Sequence, residues 1–87
     1  MDTSKIYWVA DSGHQWLSVP LSQARKISGI STCSYMSPAG TTAYLESDCD
    51  APLFIEQFEL DGAEFGTPKV YETKAPCRSY PSYRAGR

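Results

Sequence analysis

The carboxylates that could bind a metal ion are concentrated in one acidic stretch of the chain. Asp48, Asp50 and Glu59 stand at positions one, three and twelve of a calcium-binding loop, and carboxylates are the hard oxygen ligands that calcium takes. The same loop requires an oxygen ligand at its fifth position and a glycine at its sixth, where this chain has Pro52 and Leu53. We therefore expect these acids to cap a helix and to carry surface charge, and we expect no metal site.

The cysteines offer thiol chemistry. Cys33, Cys49 and Cys77 lie far apart in the sequence, and His14 is the only histidine, which does not fit the ligand spacing of a zinc site. A helix that begins just after Cys49 would favour its thiolate, but the aspartates on either side disfavour a second negative charge. His14 could act as a base for Cys33 or Cys49. A small thiol- or metal-dependent enzyme using these side chains is therefore an alternative, although no cofactor is expected.

Charge is distributed unevenly along the chain. The formal net charge is −2, but residues 1–45 carry +1, residues 46–64 carry −7 without any Lys or Arg, and residues 65–87 carry +4. We call residues 46–64 the acidic segment. Such a separation of charge bears on which surfaces the protein meets rather than on how it folds. The acids of this segment are Glu46, Asp48, Asp50, Glu56, Glu59, Asp61 and Glu64.

The length and composition predict one small domain. A chain of 87 residues has enough apolar residues for a single core, so we expect a domain over residues 1–74 and a tail rich in Pro, Ser, Tyr and Arg over residues 75–87. No apolar run approaches the roughly 18 to 20 residues that span a bilayer, and no secretory leader is recognisable. Because the number of cysteines is odd, we expect reduced thiols and a cytoplasmic protein.

The pattern of apolar residues predicts an α+β fold. Short β-branched and aromatic runs alternate with turn residues, and two stretches show helical spacing. The predicted elements are strands at 6–10 and 15–19, a short helix at 21–28 that Gly29 follows in the left-handed position, strands at 30–36 and 41–46, a second helix, and a strand at 69–73. The second helix is expected to have Asp48 or Asp50 as N-cap, Pro52 in its first turn, apolar residues over 53–60 and Gly62 as C-cap. Their order is ββαββαβ. This order is typical of a small, mainly antiparallel sheet that the longer helix covers on one face.

The second predicted helix has two apolar faces. Phe54, Ile55 and Phe58 fall within an arc of about 100° and should face the sheet. Leu53 and Leu60 lie on another arc, beside acidic residues. This second stripe either packs under Phe65 or the tail, or forms an apolar strip that is open to a partner.

The tail offers a second kind of recognition. It repeats a small unit, Ser79-Tyr80-Pro81 followed by Ser82-Tyr83-Arg84, and interleaved Tyr and Arg could stack on single-stranded bases and neutralise phosphates. The sequence pI of about 5.2 and the absence of another basic patch in the sequence argue against direct nucleic-acid binding. We expect a loosely ordered terminus that could fold back onto the acidic helix.

Two segments resemble proteins of mobile genetic elements. They are GHQWLSVP at 13–20, and SYM at 34–36 continued by AYLESDCDA at 43–51. They are similar to a group of small, mostly uncharacterised phage and plasmid proteins in which a "GHGWL.VP" segment precedes a "YLE.DCDA" segment, with Gln15 here in place of a glycine. The resemblance implies a mobile-element origin. By analogy of size and charge, it suggests an inhibitor of host defence such as an anti-CRISPR protein.

The leading hypothesis is therefore a non-enzymatic binding module. A dense row of acids without compensating bases can imitate a phosphate backbone and bind a basic surface that normally receives nucleic acid. The expected partner is a host protein or ribonucleoprotein in the cytosol, with neither direct nucleic-acid contact nor a membrane involved, and the sequence predicts no oligomeric state. The simpler alternative is a solvated acidic face that maintains solubility. The expected partner-binding residues are Glu46, Asp48, Asp50, Leu53, Glu56, Glu59, Leu60, Asp61 and Glu64.

Overall fold

A computed structural model describes residues 2–84, and these residues form one five-stranded sheet with helical elements on it. The strand order across the sheet is β3-β4-β2-β1-β5. All neighbouring pairs are antiparallel except β1 with β5, which are parallel. The predicted α+β class is confirmed, and three 3₁₀ turns are added to the predicted order of elements. The strands are β1 (Tyr7–Ala10), β2 (Gln15–Pro20), β3 (Tyr35–Met36), β4 (Thr42–Glu46) and β5 (Lys69–Val70).

The central strands β2 and β4 are explained by the alternation of side chains between the two faces of the sheet. On β2, Leu17 and Val19 point to one face of the sheet, and Leu45 joins them from β4 in register with Leu17. These residues form the main core with Phe54 of the second helix and Ile6. Because each of them is fully or almost fully buried, the main core holds the helices against this face of the sheet.

Helix α1 (Leu21–Ala24) is shorter than the predicted 21–28. After Ala24 the backbone changes to i→i−3 hydrogen bonds, from the Lys26 N–H to the Gln23 carbonyl and from the Ile27 N–H to the Ala24 carbonyl. Such bonds tighten a chain into a turn and do not propagate an α-helix. Gly29 has the expected left-handed conformation, with φ 92°, but α1 ends at Ala24 with Arg25 as its C-cap. Gly29 therefore does not cap this helix.

Helix α2 (Ala51–Gln57) also ends before the predicted boundary at 60. The Glu59 N–H donates to the Glu56 carbonyl and the Leu60 N–H donates to the Ile55 carbonyl. This pair of bonds is a Schellman motif, and it places Glu59 at the left-handed position with φ 52°. Gly62, which the sequence suggested as the cap, instead begins a 3₁₀ turn. The helix therefore stops on a strained glutamate.

The tail is part of the fold, which corrects the expectation of a loosely ordered terminus. We call residues 75–83 the C-terminal strap. It begins on the second face of the sheet, where Ala75 and Cys77 are buried against Val9 and Trp16. It ends at the opposite edge of the sheet, where residues 81–83 run beside β3, and Tyr83 is then buried in the main core. The strap thus packs across the second face of the sheet, and its last residue joins the main core, to which α2 also contributes Phe54. Residues 85–87 lie outside the described part of the chain.

An ion pair attaches the strap to the first hairpin. Both oxygens of the Asp11 carboxylate accept from the Arg78 guanidinium, at 2.6 and 2.8 Å, and the Ala75 N–H donates to the same carboxylate at 2.9 Å. Asp11 also accepts from the backbone N–H groups of Gly13 and His14, which shapes the turn between β1 and β2. The Asp11 side chain is completely shielded from solvent, so the turn and the strap share one buried charge.

The same carboxylate makes the fold sensitive to acid. Its hydrogen bonds from Arg78, and then those from the backbone, hold the pKa of Asp11 well below its ordinary range. A group with a lowered folded-state pKa stabilises the protein above its unfolded pKa, about 3.9 for aspartate. That contribution is lost as the pH falls through the folded-state pKa.

We predict that Arg78→Ala lowers the melting temperature at pH 7, because it leaves a shielded carboxylate without its cation. The difference from the wild type should shrink progressively below about pH 4, where Asp11 begins to protonate in the unfolded chain. Melting curves of both proteins between pH 2 and 7 measure this, with Arg84→Ala at an exposed site as the control. A difference that stays constant with pH would contradict the assigned role of the ion pair.

Candidate functional site

The acidic segment lies along α2 and its flanking turns. Helix α2 packs its apolar side on the main core through Phe54, so its opposite side is left to solvent. Glu56 is on that exposed side, one helical turn from the exposed Pro52. The carboxylates of this segment that reach solvent are Glu46, which is half-buried, and the exposed Asp48, Glu56, Glu59, Asp61 and Glu64.

Asp50 does not belong to this surface, which corrects its assignment to partner binding. Its side chain is 1% exposed and accepts from the Ser31 N–H at 3.1 Å and the Ser31 hydroxyl at 2.9 Å. The hydroxyl of the buried Ser34 also donates to it, and the Ser34 oxygen accepts in turn from the Glu46 N–H at 3.1 Å. Asp50 stands at the N-cap position of α2, but its side chain makes no capping bond. It joins the loop before β3 to the start of α2 instead.

Leu53 and Leu60 do not form a free apolar strip. Both are half-buried and pack against the main core, as Phe65 does. Leu60 follows the left-handed Glu59, and the Schellman bond from its N–H to Ile55 turns it back toward the helix. Most of the surface of these two leucines is therefore packed within the fold, as the first of the two interpretations expects. The acidic segment does not expose a continuous apolar strip.

The surface carboxylates are not neutralised within the fold. Among residues 2–84, Asp11 with Arg78 is the one pair of opposite charges within ion-pair distance. Of the exposed acids, Asp61 receives a backbone hydrogen bond at 2.9 Å from Ala63. The segment thus presents six carboxylates to solvent without a cation of the same chain paired to any of them, as far as the described residues show.

The thiols and the histidine suggested as an alternative site lie in different surroundings. Cys33 and Cys49 are exposed and Cys77 is buried. The imidazole of His14 lies beside Trp16, with ring centroids 6.0 Å apart. Within residues 2–84, no hydrogen bond connects His14 to a cysteine, and no group of three or more His, Cys, Asp or Glu side chains is arranged to hold a metal ion.

A tyrosine pocket that the sequence does not predict lies on the second face of the sheet. It is a cavity of about 180 Å³. The ring centroids of Tyr44 and Tyr80 are 5.6 Å apart. The ammonium of Lys69 lies 5.4 Å from the ring centroid of Tyr7. Burial raises the pKa of Tyr44 to about 12. The signal was present in the alternation of Tyr7 and Val9 on β1, but the pocket exists only because the strap closes one side of it. Its lining residues are Tyr7, Val9, Tyr44, Lys69, Tyr71, Pro76, Cys77 and Tyr80.

Comparison of the chain with protein-family models, curated proteins and solved structures gave no match. The function is therefore argued from the arrangement of its own residues. Nowhere in residues 2–84 does a helix have both the length and the apolar character needed to cross a membrane.

The buried position of Asp50 yields a direct prediction. Asp50→Ala should lower the free energy of unfolding by about 2–4 kcal/mol, because it leaves the donors of Ser31 and Ser34 without an acceptor in the interior. Denaturant unfolding measures the change. Asp48→Ala, at the exposed acid two residues earlier, is the matched control and should change stability by no more than about 0.5 kcal/mol. Equal effects at the two positions would show that Asp50 is not the internal acceptor described here.

Proposed function

We propose that the protein is a non-enzymatic binding module that covers a basic surface of another macromolecule with its acidic segment. The observation that carries this proposal is the set of six unpaired carboxylates that reach the surface between residues 46 and 64. Asp50 is no longer among the contact residues, and Leu53 and Leu60 serve mainly to support the helix. The contacts are thus assigned to Glu46, Asp48, Glu56, Glu59, Asp61 and Glu64.

Electrostatics explains how such a surface would select its partner. Charges of one sign raise the rate of encounter with an oppositely charged protein, and the effect falls steeply with salt. Arg side chains of the partner can then form charge-assisted, bidentate hydrogen bonds with carboxylates. Clustered Arg and Lys side chains are typical of protein surfaces that hold nucleic acid, so the carboxylates of the acidic segment would occupy the place of phosphates.

The strain at Glu59 supports the proposal independently of the charge count. The left-handed position that ends α2 is the one at which glycine is strongly preferred, and a side chain with a Cβ is less stable there by about 1 kcal/mol. Glu59 is exposed and has no hydrogen-bonding partner for its carboxylate among the described residues. The fold thus retains a charged side chain where a neutral, unstrained residue would be more stable.

The biological setting that we propose is inhibition of host defence. The two segments that resemble phage and plasmid proteins suggest a chain carried by a mobile element. A CRISPR-type complex in the cytosol of the host has basic surfaces of the required kind. The acidic segment would compete with the nucleic acid that such a complex recognises.

The geometry gives less support to the other candidates. In the tail, Arg78 is engaged by Asp11 and Tyr83 is buried, so a tail-mediated nucleic-acid binder would lose two of the side chains that suggested it. For a thiol enzyme, the expected base His14 packs beside Trp16 and makes no hydrogen bond with Cys33 or Cys49. The acidic segment keeps most of its expected residues at the surface.

Charge reversal tests the proposal. The variant Glu56→Lys with Glu64→Lys should bind a CRISPR-type effector complex at least tenfold more weakly than the wild type and fail to restore phage growth in a defended host. Neither side chain takes part in a hydrogen bond in the described structure, so the fold should persist. The matched control, Thr67→Lys with Glu72→Lys and Thr73→Lys, has the same net charge but leaves the segment intact and should act like the wild type. If both variants bind the complex as the wild type does, the acidic segment is not the interface.

The residue at position 59 separates stability from function. Glu59→Gly should raise the free energy of unfolding by about 1 kcal/mol, because it relieves the left-handed strain, while it weakens partner binding. Glu59→Gln should weaken binding to a similar degree and leave stability nearly unchanged, since it keeps the strain and loses the charge. Thermal melts and binding titrations of the two variants measure both quantities. Unimpaired binding by both would exclude Glu59 from the interface.

A further inference from the structure

The fold brings Cys33 and Cys49 together, although they are 16 residues apart in the sequence. Cys33 lies in the loop before β3, and Cys49 lies in the turn before α2. Ser31 connects them, because its hydroxyl oxygen accepts from the Cys33 N–H at 3.1 Å and meets the Cys49 Sγ at 3.4 Å. Both thiols are exposed. A reagent in solution can therefore reach two neighbouring sulfur atoms at one place on the surface.

The internal network around Asp50 keeps the two thiols in position. Asp50 follows Cys49 directly, and it accepts from both the N–H and the hydroxyl of Ser31. The loop that carries Cys33 is thereby fastened to the turn that carries Cys49 by two part-buried bonds and by the buried bond from the Ser34 hydroxyl to Asp50. Neighbouring thiols in a fastened arrangement react with each other in preference to more distant groups, because the entropy of bringing them together has already been lost.

The pKa of the Cys49 thiol is influenced by the Cys33 thiol, as expected for two neighbouring cysteines. The Ser31 contact lowers the pKa of the Cys49 thiol, but the adjacent Cys33 thiol, desolvation and the Asp50 carboxylate together raise it above its ordinary value. A thiol with a raised pKa is a poorer metal ligand and a slower nucleophile at neutral pH, and its reaction accelerates as the pH rises.

We propose that Cys33 and Cys49 form a dithiol site that closes to an intramolecular disulfide by exchange with a small-molecule disulfide such as oxidised glutathione. In the first step, the thiolate of one cysteine attacks a sulfur of the reagent, forms a mixed disulfide and releases one glutathione thiolate. In the second step, the other cysteine loses its proton to solvent, and its thiolate attacks the protein sulfur of the mixed disulfide and releases the second glutathione thiolate. The two protein thiols are oxidised to one S–S bond, and the reagent is reduced to two thiols.

Cys77 provides an internal contrast. It is 2% exposed beneath the strap, and burial raises the pKa of its thiol to about 11. A thiol that is both shielded and protonated exchanges slowly. The site is therefore specific to one pair of the three cysteines, and it does not depend on whether the acidic segment binds a partner.

The test is exchange of the folded, fully reduced chain with oxidised glutathione at pH 8, followed by intact-mass measurement and peptide mapping. The expected product has lost two hydrogens, carries no glutathione and contains a linkage between Cys33 and Cys49, while Cys77 stays reduced. Cys33→Ser and Cys49→Ser should each stop at a stable single glutathione adduct on the remaining exposed cysteine. The closed form should melt at a temperature at least about 5 °C above the reduced form, because the new bond constrains the unfolded chain.

Exchange in denaturant is the control for the contribution of the fold. There the three cysteines should pair in a mixture of linkages, since the network around Asp50 no longer positions any of them. The proposal is overturned if the folded wild type accumulates glutathione adducts without closing, if it pairs Cys77 with either exposed cysteine, or if it gives the same mixture in the folded and unfolded states.

Discussion

The ion pair between Asp11 and Arg78 is the interaction on which the arrangement of both sheet faces depends. A sheet of five short strands has two faces, and the helices α1 and α2 both pack on one of them. The second face is aromatic, with Trp16 at its centre, and the chain covers it with its own C-terminal strap. Asp11 fixes that strap at Arg78 and Ala75 while it also shapes the first hairpin turn, and the guanidinium lies 5.2 Å from the Trp16 ring centroid. One carboxylate therefore orients a turn, a strap and an indole together.

This use of the strap decides which surfaces are left for function. Arg78 is engaged in the ion pair with Asp11, and the ring of Tyr83 is buried in the core, so neither side chain is free to contact a partner. The acids of residues 46–64, except Asp50, reach solvent, because α2 packs only its apolar side against the core. The proposed function consequently rests on the outer face of α2 and its flanking turns. Asp50, removed from that face, instead fastens the loop that places Cys33 beside Cys49.

The parts of the fold that sequence analysis predicted are those with a regular period. Strands β1, β2 and β4 were recognisable from alternation, and α2 was recognisable from Phe54 and its apolar neighbours. The errors arose where a tertiary contact, or in one case a helix cap without glycine, outweighed the local preference. The predicted strand at 30–36 shrank to Tyr35–Met36, since Ser31 and Ser34 serve as donors to Asp50. Helix α2 ended early on Glu59, a residue that carries no glycine-like signal. The order of the strap is not predictable from the sequence, because Pro, Ser and Arg are typical of loops and nothing in its spacing identifies Asp11 as a partner.

Native-state hydrogen exchange of the strap tests most directly whether it is an integral layer of the fold. The Tyr83 N–H donates to the Ser34 carbonyl at 2.7 Å, and the Met36 N–H donates to the Pro81 carbonyl at 2.9 Å. If the strap completes the structure, these two amides should be protected to nearly the same free energy as the amides of β2 that pair with β4. If instead the Tyr83 amide exchanges at the rate of an open chain while β2 stays protected, the strap is not part of the cooperative fold. The tail would then again be available for recognition.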